Sequence, residues 1–289
     1  MAVYTEFKKP NQVKEIWRRL KKDKLAMLGL TIIVTIILLA ICAGLVADYE
    51  SVIKLNSKMR LKPPSAEHWF GTDSYGRDIF ARCLYGARVS LSIGFISAIA
   101  ATVFGSLIGA MTGYIGGKVD NITMRILDVI SAIPSTLLAL AVVAALGSGI
   151  SKLCAALAFT AIPGFVRIVR SAVLSIADQE YIEACRAGGT STWRILTRHI
   201  LPNAIGPVIV QGTMEVSTMI RTIATLSFLG LGINPPTPEW GALISEAKEF
   251  LRTCPYMMFF PAGMLCLTAF SISVFGDGLR DALDPRLKS

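Results

Sequence analysis

The chain has 289 residues, of which 53% are hydrophobic and only 17% are charged. Ordinary soluble domains carry about 25% charged residues, so the composition excludes that class and predicts an all-α polytopic membrane protein. The formal net charge of +9 does not indicate nucleic-acid binding, because the basic residues cluster at the ends of apolar runs.

The sequence predicts neither a metal site nor a nucleotide site in this chain. The six cysteines form no C-x-x-C pair, and only two histidines are present. Gly117 and Lys118 lack the flanking residues of a phosphate-binding loop. Cys83 and Cys254 could both face outward, which leaves a disulfide between them open.

The beginning of the chain is predicted to lie on the inner membrane surface and then to cross the membrane. Residues 1–24 contain eight Lys or Arg and predict an amphipathic segment with a basic face, although the first ten residues would equally fit a solvated tail. Residues 25–47 are uncharged, and 23 residues at ~1.5 Å each cross a ~30 Å hydrocarbon core. This run is too long for a cleaved signal peptide.

Residues 48–88 are predicted to form a polar segment outside the membrane. Its second half is rich in residues that favour tight, hydrogen-bonded loops. These are Gly71, Thr72, Asp73, Gly76, Arg77 and Asp78. The segment also holds seven basic residues, which the positive-inside rule tolerates poorly on the outer side.

Residues 89–275 predict a core with five further transmembrane helices. The expected spans are about 89–115, 126–147, 153–171, 204–231 and 257–275. Pro134 is expected to kink the third span, and Pro163 interrupts the fourth. Residues 276–289 follow as an inner tail. Outside, the apolar stripe that begins at Leu243 within 233–256 indicates an interfacial helix or ordinary loop packing.

Two charged residues, Glu215 and Arg221, fall inside the fifth predicted span. They are six positions apart, about 240° around a helix, so they do not face each other. Charges inside a membrane are usually functional. Each of them therefore lines a transport path or pairs with another helix.

The polar loop 172–202 is predicted to lie on the cytoplasmic side, because five basic residues fall between positions 167 and 198. We expect two short helices with a hinge. Asp178 is expected to cap the first, which Gly188 and Gly189 would end. Thr190 or Ser191 is expected to cap the second, which Pro202 would close.

On the first of these helices, Ile182 and Cys185 share a face with small neighbours, which would let another protein approach closely. The loop resembles the EAA cytoplasmic loop of bacterial ABC-importer permeases, written E-A-A-x3-G-x9-I-x-L-P. Glu183, Ala184 and Gly189 match this pattern, and the spacing to residues 201–202 is intact. The chain departs from the pattern with Cys at the usual second Ala and with His at the usual Ile.

Three further stretches resemble the C-type permeases of dipeptide and oligopeptide importers. Residues 70–78 read F-G-T-D-S-Y-G-R-D, residues 226–232 read L-S-F-L-G-L-G, and residues 276–285 read G-D-G-L-R-D-A-L-D-P. That family often has an acidic residue where this chain has Ile223. The resemblance implies the type I ABC importer permease fold, with six transmembrane helices.

The resemblance also implies an assembly in a bacterial or archaeal cytoplasmic membrane, with both termini in the cytoplasm. A homologous second permease would complete the path, two ATPase subunits would bind ATP and Mg below, and a solute-binding protein would deliver substrate above. The chain itself would hold no cofactor and would not be an enzyme. Solutes of such importers include dipeptides, longer peptides, nickel chelates and glutathione, and the sequence does not choose among them.

Residue roles in the loop follow from the same resemblance. Docking contacts to the ATPase are expected from Tyr181, Ile182, Ala184 and Cys185, and the turn from Gly188 and Gly189. Glu183 would hold the hinge by charge and hydrogen bonding, or would only cap or solvate its helix. A self-contained secondary transporter or channel would need coupling carboxylates and an internal repeat, whereas we find only Glu215 and no repeat. An intramembrane enzyme is disfavoured because no catalytic residues sit at matching depth.

Overall fold

The computed structural model describes residues 12–147 and 149–283, and within these ranges it contains thirteen α-helices and no β-strand. Predictions for residues 1–11 and for the tail beyond residue 283 lie outside the described residues. The helices are α1 (Gln12–Leu20), α2 (Lys24–Ile41), α3 (Ala43–Val46), α4 (Tyr49–Ile53), α5 (Ile79–Ile115), α6 (Gly117–Ser131), α7 (Ser135–Leu146), α8 (Ile150–Ala177), α9 (Glu180–Ala187), α10 (Thr192–Ile195), α11 (Leu201–Phe228), α12 (Trp240–Ala247) and α13 (Tyr256–Leu283). A turn of π-helix, Leu196–Ile200, joins α10 to α11.

Four helices, α2, α5, α8 and α13, are long and apolar enough to cross a membrane. Together α6 and α7 would form a broken fifth span or a re-entrant pair, bent by 88° beside Pro134. The kink predicted at Pro134 is thus confirmed as a full break. With 28 residues α11 is long enough to cross, but its polar side chains make it less apolar than the other four. The all-α polytopic class is confirmed, and the count of six spans stays a prediction.

Several helices extend beyond the uncharged runs from which the spans were predicted, because charged residues also belong to them. The second span was expected from residue 89, but α5 begins at Ile79, where Asp78 accepts a hydrogen bond from the Ala81 amide at 2.8 Å. The predicted inner loop 116–125 is largely helical, as part of α6. Likewise α8 extends to Ala177, and Pro163 lies inside it without ending it.

The most extensive helix contact among the described residues, between α5 and α8, is packed through three glycines spaced four residues apart. A Cβ atom added to Gly105 would lie 2.4 Å from Cβ of Phe165, and one added to Gly109 would lie 2.7 Å from the Val166 carbonyl oxygen. Gly113 approaches α8 in the same way. Small residues at this spacing let membrane helices touch backbone to backbone. This contact fixes α8, and with it the loop that follows.

One end of the bundle gathers the basic segments. Here α1 and the beginning of α2 pack against the end of α13, where Leu20, Ala26 and Ala282 form one apolar cluster. The beginning of α11 lies beside the same end of α13, since Gly206 and Arg280 line one cavity. Both α9 and the π-turn that follows α10 pack against the beginning of α11. The predicted inner segments therefore share one end of the molecule.

Two expectations for the opposite end are settled by packing. Trp240 and Leu243 of α12 are buried in the main apolar core, so the segment 233–256 follows the packing alternative and not the interfacial one. The cysteines Cys83 and Cys254 are both free, and Cys83 is fully buried within α5. Cys83 and Cys254 therefore do not form the disulfide that the sequence left as an open alternative.

Candidate functional site

The short helix α9 lies at the end of the bundle that gathers the predicted inner segments, between two turns. Gln179 occupies its N-cap position and Asp178 ends α8, so the predicted cap by Asp178 is wrong. Gly188 follows the last helical residue, and Gly189 has φ +72°, a conformation that favours glycine. The two glycines thus end the helix at the predicted place.

The second half of the loop differs from the prediction. Ser191 stands at the N-cap of α10, but its side chain makes no capping hydrogen bond. Pro202 lies in the first turn of α11 and does not close a helix, because proline is tolerated at the first helical positions. The backbone therefore runs from α10 through the π-turn into α11 without a break.

Ile182 is fully buried, which corrects its predicted role as a docking contact. Its side chain belongs to an apolar cluster with residues of α8, the π-turn and α11, and Cys185 packs partly against the same cluster. The buried members are Ala110, Val169, Val173, Ile176, Ile182, Ile195, Leu196, Ile200, Ala204 and Val208. The face that Ile182 and Cys185 share is real, but it faces this protein's own core.

The opposite side of α9 is free for a partner. Tyr181, Ala184 and Gly188 are exposed at positions i, i+3 and i+7, one stripe of a helix. Glu183 and Gly189 are exposed as well. No sequence pattern selected Trp193 of α10, yet its side chain is 63% exposed at the same end. An exposed tryptophan beside a solvent-facing helix is typical of a protein contact surface.

Polar contacts also tie α9 to the transmembrane helices. Arg186 Nε donates a hydrogen bond to Tyr114 Oη at 3.0 Å, and its guanidinium lies 4.7 Å from the centre of that ring. On the other side, Asn203 Nδ2 donates to Tyr181 Oη at 3.4 Å. A displacement of α9 would therefore act on α5, α8 and α11 together.

At the opposite end, predicted to be the outer one, the predicted tight loop is confirmed and encloses a buried charge cluster. Asp73 Oδ2 accepts hydrogen bonds from Arg77 Nε and Arg82 Nη1, both at 2.7 Å. Glu246 Oε2 of α12 accepts from the same two arginines, also at 2.7 Å. Both arginines are at most 4% exposed. Two of the seven outer basic residues are thus neutralised inside the protein, which reduces the conflict with the positive-inside rule.

The remaining predicted loop residues shape this cluster. Gly71 and Gly76 have φ of +75° and +78°, and a Cβ atom on either would overlap a neighbouring carbonyl oxygen. Thr72 is fully buried, and its hydroxyl accepts from the Lys62 amide at 2.9 Å. Asp78 accepts from the first turn of α5 and lies 2.7 Å from His68 Nδ1. The loop is therefore a structural element that joins the outer segment to α5 and α12.

Polar side chains on α11 follow one stripe at alternating four- and three-residue steps, a spacing that the sequence analysis missed. The stripe, which we call the α11 polar stripe, comprises Gln211, Glu215, Thr218, Thr222 and Thr225. Arg221 is exposed beside it. The opposite side of α11 is buried against α5, α8 and α13. This leaves the stripe facing away from the helices of this chain.

The two charges on α11 do not pair with each other, as their spacing predicts. Glu215 is half-buried and accepts from Gln211 Nε2 at 3.3 Å. Arg221 donates to Ser217 Oγ at 2.7 Å and to Thr218 Oγ1 at 3.2 Å. In the part of the chain that the structure describes, no group of three or more His, Cys, Asp or Glu could hold a metal ion.

Two family descriptions match this chain. Residues 105–289 match the binding-protein-dependent transport system inner membrane component. Residues 11–64 match the N-terminal transmembrane domain of oligopeptide transport permease C. The two matches leave uncovered most of the outer loop that holds the charge cluster.

Three relatives show how far the similarity extends. The dipeptide transport system permease protein DppC of Alkalihalophilus pseudofirmus is 46% identical over 276 residues, 96% of this chain and 90% of the relative. The glutathione transport system permease protein GsiD of Escherichia coli is 44% identical over 284 residues, 97% and 94% of the two chains. The oligopeptide transport system permease protein OppC of Bacillus subtilis is 44% identical over 277 residues, 95% and 90%.

Proposed function

This chain belongs to the family of binding-protein-dependent transport system inner membrane components, and from that premise we propose that it is the permease subunit of an ATP-driven peptide importer. The observation that carries the proposal is its 44–46% identity, over nearly the whole chain, to dipeptide, oligopeptide and glutathione permeases. All three solutes are peptides. The family is one of transport permeases and not of enzymes.

The importer would contain several further proteins. A homologous second permease would pair with this chain, and two ATPase subunits would bind ATP and Mg at the inner end. A solute-binding protein would deliver the peptide at the outer end. The basic segments gathered at one end support a cytoplasmic position for both termini and for the loop 172–202, in a bacterial cytoplasmic membrane.

Coupling to the ATPases would pass through α9. The exposed side chains of Tyr181 and Ala184, with Trp193 nearby, would contact an ATPase subunit. Ile182, on the side of α9 that faces the protein core, would transmit the movement, because it packs against α8 and α11 in one apolar cluster. Closely packed helices move as rigid bodies, so a displacement of α9 would tilt the bundle between inward-open and outward-open forms.

The translocation path would run along the α11 polar stripe. A polar helix surface that faces lipid is unfavourable, because its hydroxyl and charged groups would lose their water. Facing a second permease across a hydrated path, the same side chains could keep water or bind the peptide. Glu215 and Arg221 are the charged residues that this path would contain.

Uptake in liposomes tests the proposal. The chain is reconstituted with its second permease, both ATPases and the binding protein, and accumulation of a labelled dipeptide is measured. We expect uptake only when ATP, the ATPases and loaded binding protein are all present. Transport by this chain without ATPase subunits would contradict the proposal and would indicate a self-contained secondary transporter.

A further inference from the structure

Arg221 is a cation whose hydrogen-bond partners in the structure are all neutral. Its guanidinium donates to the hydroxyls of Ser217 and Thr218, and among the described residues no carboxylate oxygen lies within 4.0 Å of it. A guanidinium has five N–H donors, so several remain for another acceptor. Glu215 is near enough to feel the charge of Arg221, but no described carboxylate forms an ion pair with it. A charge inside a predicted membrane span without an ion-pair partner indicates a functional position.

The position of Arg221 within α11, which we propose crosses the membrane, indicates that it does not face lipid. It lies seven residues before the end of α11 at Phe228, about 10 Å along the helix axis from that end at ~1.5 Å per residue. Charged side chains at such depths face the interior of a helix bundle or a water-filled cavity, because lipid cannot solvate them. The exposed side of Arg221 therefore faces the path between the two permeases.

One terminal nitrogen of the guanidinium is held by a buried hydroxyl. Ser217 is 1% exposed, and its hydroxyl donates to the Ala269 carbonyl oxygen at 2.8 Å and lies 2.9 Å from Ser273 Oγ. Its oxygen in turn accepts from Arg221 Nη1 at 2.7 Å. These contacts with α13 restrict the long arginine side chain before any ligand arrives. Less conformational entropy is then lost on binding.

We propose that Arg221 binds the C-terminal carboxylate of the peptide as it enters the path, an inference that rests on the proposed peptide import. Dipeptides, oligopeptides and glutathione differ in their side chains but share this carboxylate. The planar guanidinium matches the two oxygens of a carboxylate. The contact recognises a group that every such peptide carries, so it does not restrict side chains.

A double-mutant cycle tests this contact in the complete reconstituted importer. The two changes are Arg221→Gln in the protein and amidation of the C-terminus in a dipeptide. Uptake is expressed per molecule of loaded binding protein, which removes differences in loading. We expect each single change to slow uptake at least tenfold, because each removes the same charged hydrogen bond. The two changes together should slow uptake no more than either alone.

Matched variants separate this role from others. Arg221→Lys keeps the charge but lacks the planar guanidinium, so its uptake should fall between that of wild type and that of Arg221→Gln. Arg252→Gln removes an exposed arginine from the outer segment and should change nothing. Stimulation of the ATPases by loaded binding protein should persist in Arg221→Gln, so ATP is hydrolysed without import.

Three results would overturn the inference. The first is that the losses of uptake from the two single changes multiply when the changes are combined. The second is that the wild-type complex takes up the dipeptide and its C-terminal amide equally fast. The third is a loss of complex yield in Arg221→Gln, which would indicate an ion pair with the second permease. A wild-type complex that imports neither peptide would instead contradict the proposed function itself.

Discussion

Ala184 offers the most direct test of the exposed side of α9. It follows Ile182 by two residues, or about 200° of helix, so it points away from the core cluster. We expect Ala184→Arg to abolish ATP-dependent uptake while the chain still inserts, because a long charged side chain would separate α9 from the ATPase. Uptake and membrane content of the complex are measured together.

The matched control for Ala184 places the same arginine elsewhere at the inner end. Asn121 is exposed on α6, so Asn121→Arg should leave uptake and complex content close to wild type. Normal uptake by Ala184→Arg would remove the docking role from this side of the helix.

Substitutions at Ile182 and at its neighbour Tyr181 should distinguish the transmission of movement into the core cluster from docking to the ATPase. Ile182→Ala leaves a cavity in the core cluster, and such truncations cost about 2–5 kcal/mol, so the melting temperature of the complex should fall and uptake should weaken. Tyr181 is 40% exposed, so Tyr181→Ala should reduce uptake with little change in melting temperature. A stable Ile182→Ala protein would show that the cluster does not hold α9.

At the level of single residues, the sequence predicted that Ile182 and Cys185 share one face of a helix, but not that this face is buried. The spacing of Ile182 and Cys185 correctly placed them on one face. Which face is buried depends on the apolar residues of α8 and α11, and no local pattern contains that information. The polar residues from Gln211 to Thr225 already follow a helical spacing in the sequence. The sequence-based interpretation, however, considered only the two charged residues of this helix.

The packing of α5 against α8 should be sensitive to a single methyl group. A Cβ atom at Gly109 would lie 2.7 Å from the backbone oxygen of Val166, which cannot move away as a side chain can. We expect Gly109→Ala to destabilise the pair by about 1–3 kcal/mol, the usual cost of overpacking, and to lower the yield of assembled complex. The amount of complex purified per amount of membrane protein is the measurement.

Gly164 on α8 provides the control for that substitution. Nothing lies within 4 Å of a Cβ atom added there, so Gly164→Ala should leave the yield unchanged or raise it, since alanine favours helix over glycine. Equal yields for the two variants would contradict a tight α5–α8 contact.

The attachment of α12 to the outer loop should depend on Glu246. Glu246→Gln leaves Arg77 and Arg82 with Asp73 as their remaining carboxylate, and breaking a buried ion pair costs about 3–5 kcal/mol. We expect faster amide hydrogen exchange in residues 57–78. The neighbouring Glu249 is exposed, so amide hydrogen exchange of the same residues in Glu249→Gln should equal that of wild type. Unchanged exchange in Glu246→Gln would show that the cluster does not hold the loop.

Element boundaries were predictable where apolar runs are bounded by glycine or proline, as at Ile115 and Pro134. They were not predictable where charged residues belong to a helix, as in the first turns of α5. From the sequence, Arg82 was assigned to the outer segment and not to α5. The partner that neutralises its charge, Glu246, is 164 positions away, so no local pattern shows that Arg82 can be buried in a helix. Long-range pairing of this kind lets a helix extend beyond its uncharged run.

For the whole molecule, the distribution of basic residues and the packing of the helix ends point to the same orientation. The main exception was the outer segment with its seven basic residues. Arg77 and Arg82 are paired inside the cluster, while Arg88 donates to the last carbonyl oxygens of α2. A cation at that position stabilises the end of a helix. The free basic charges outside are therefore fewer than the sequence suggests.

Orientation can be measured with a thiol reagent that does not cross membranes. Lys58 is exposed at the outer end and Arg194 is exposed at the inner end. We expect Lys58→Cys to react in intact cells and Arg194→Cys to react only after permeabilisation, each compared with the parent chain and its native cysteines. Reaction of Arg194→Cys in intact cells would place α9 and α10 outside. No cytoplasmic ATPase could then reach them, and coupling through α9 would be physically impossible, whatever the family of the chain.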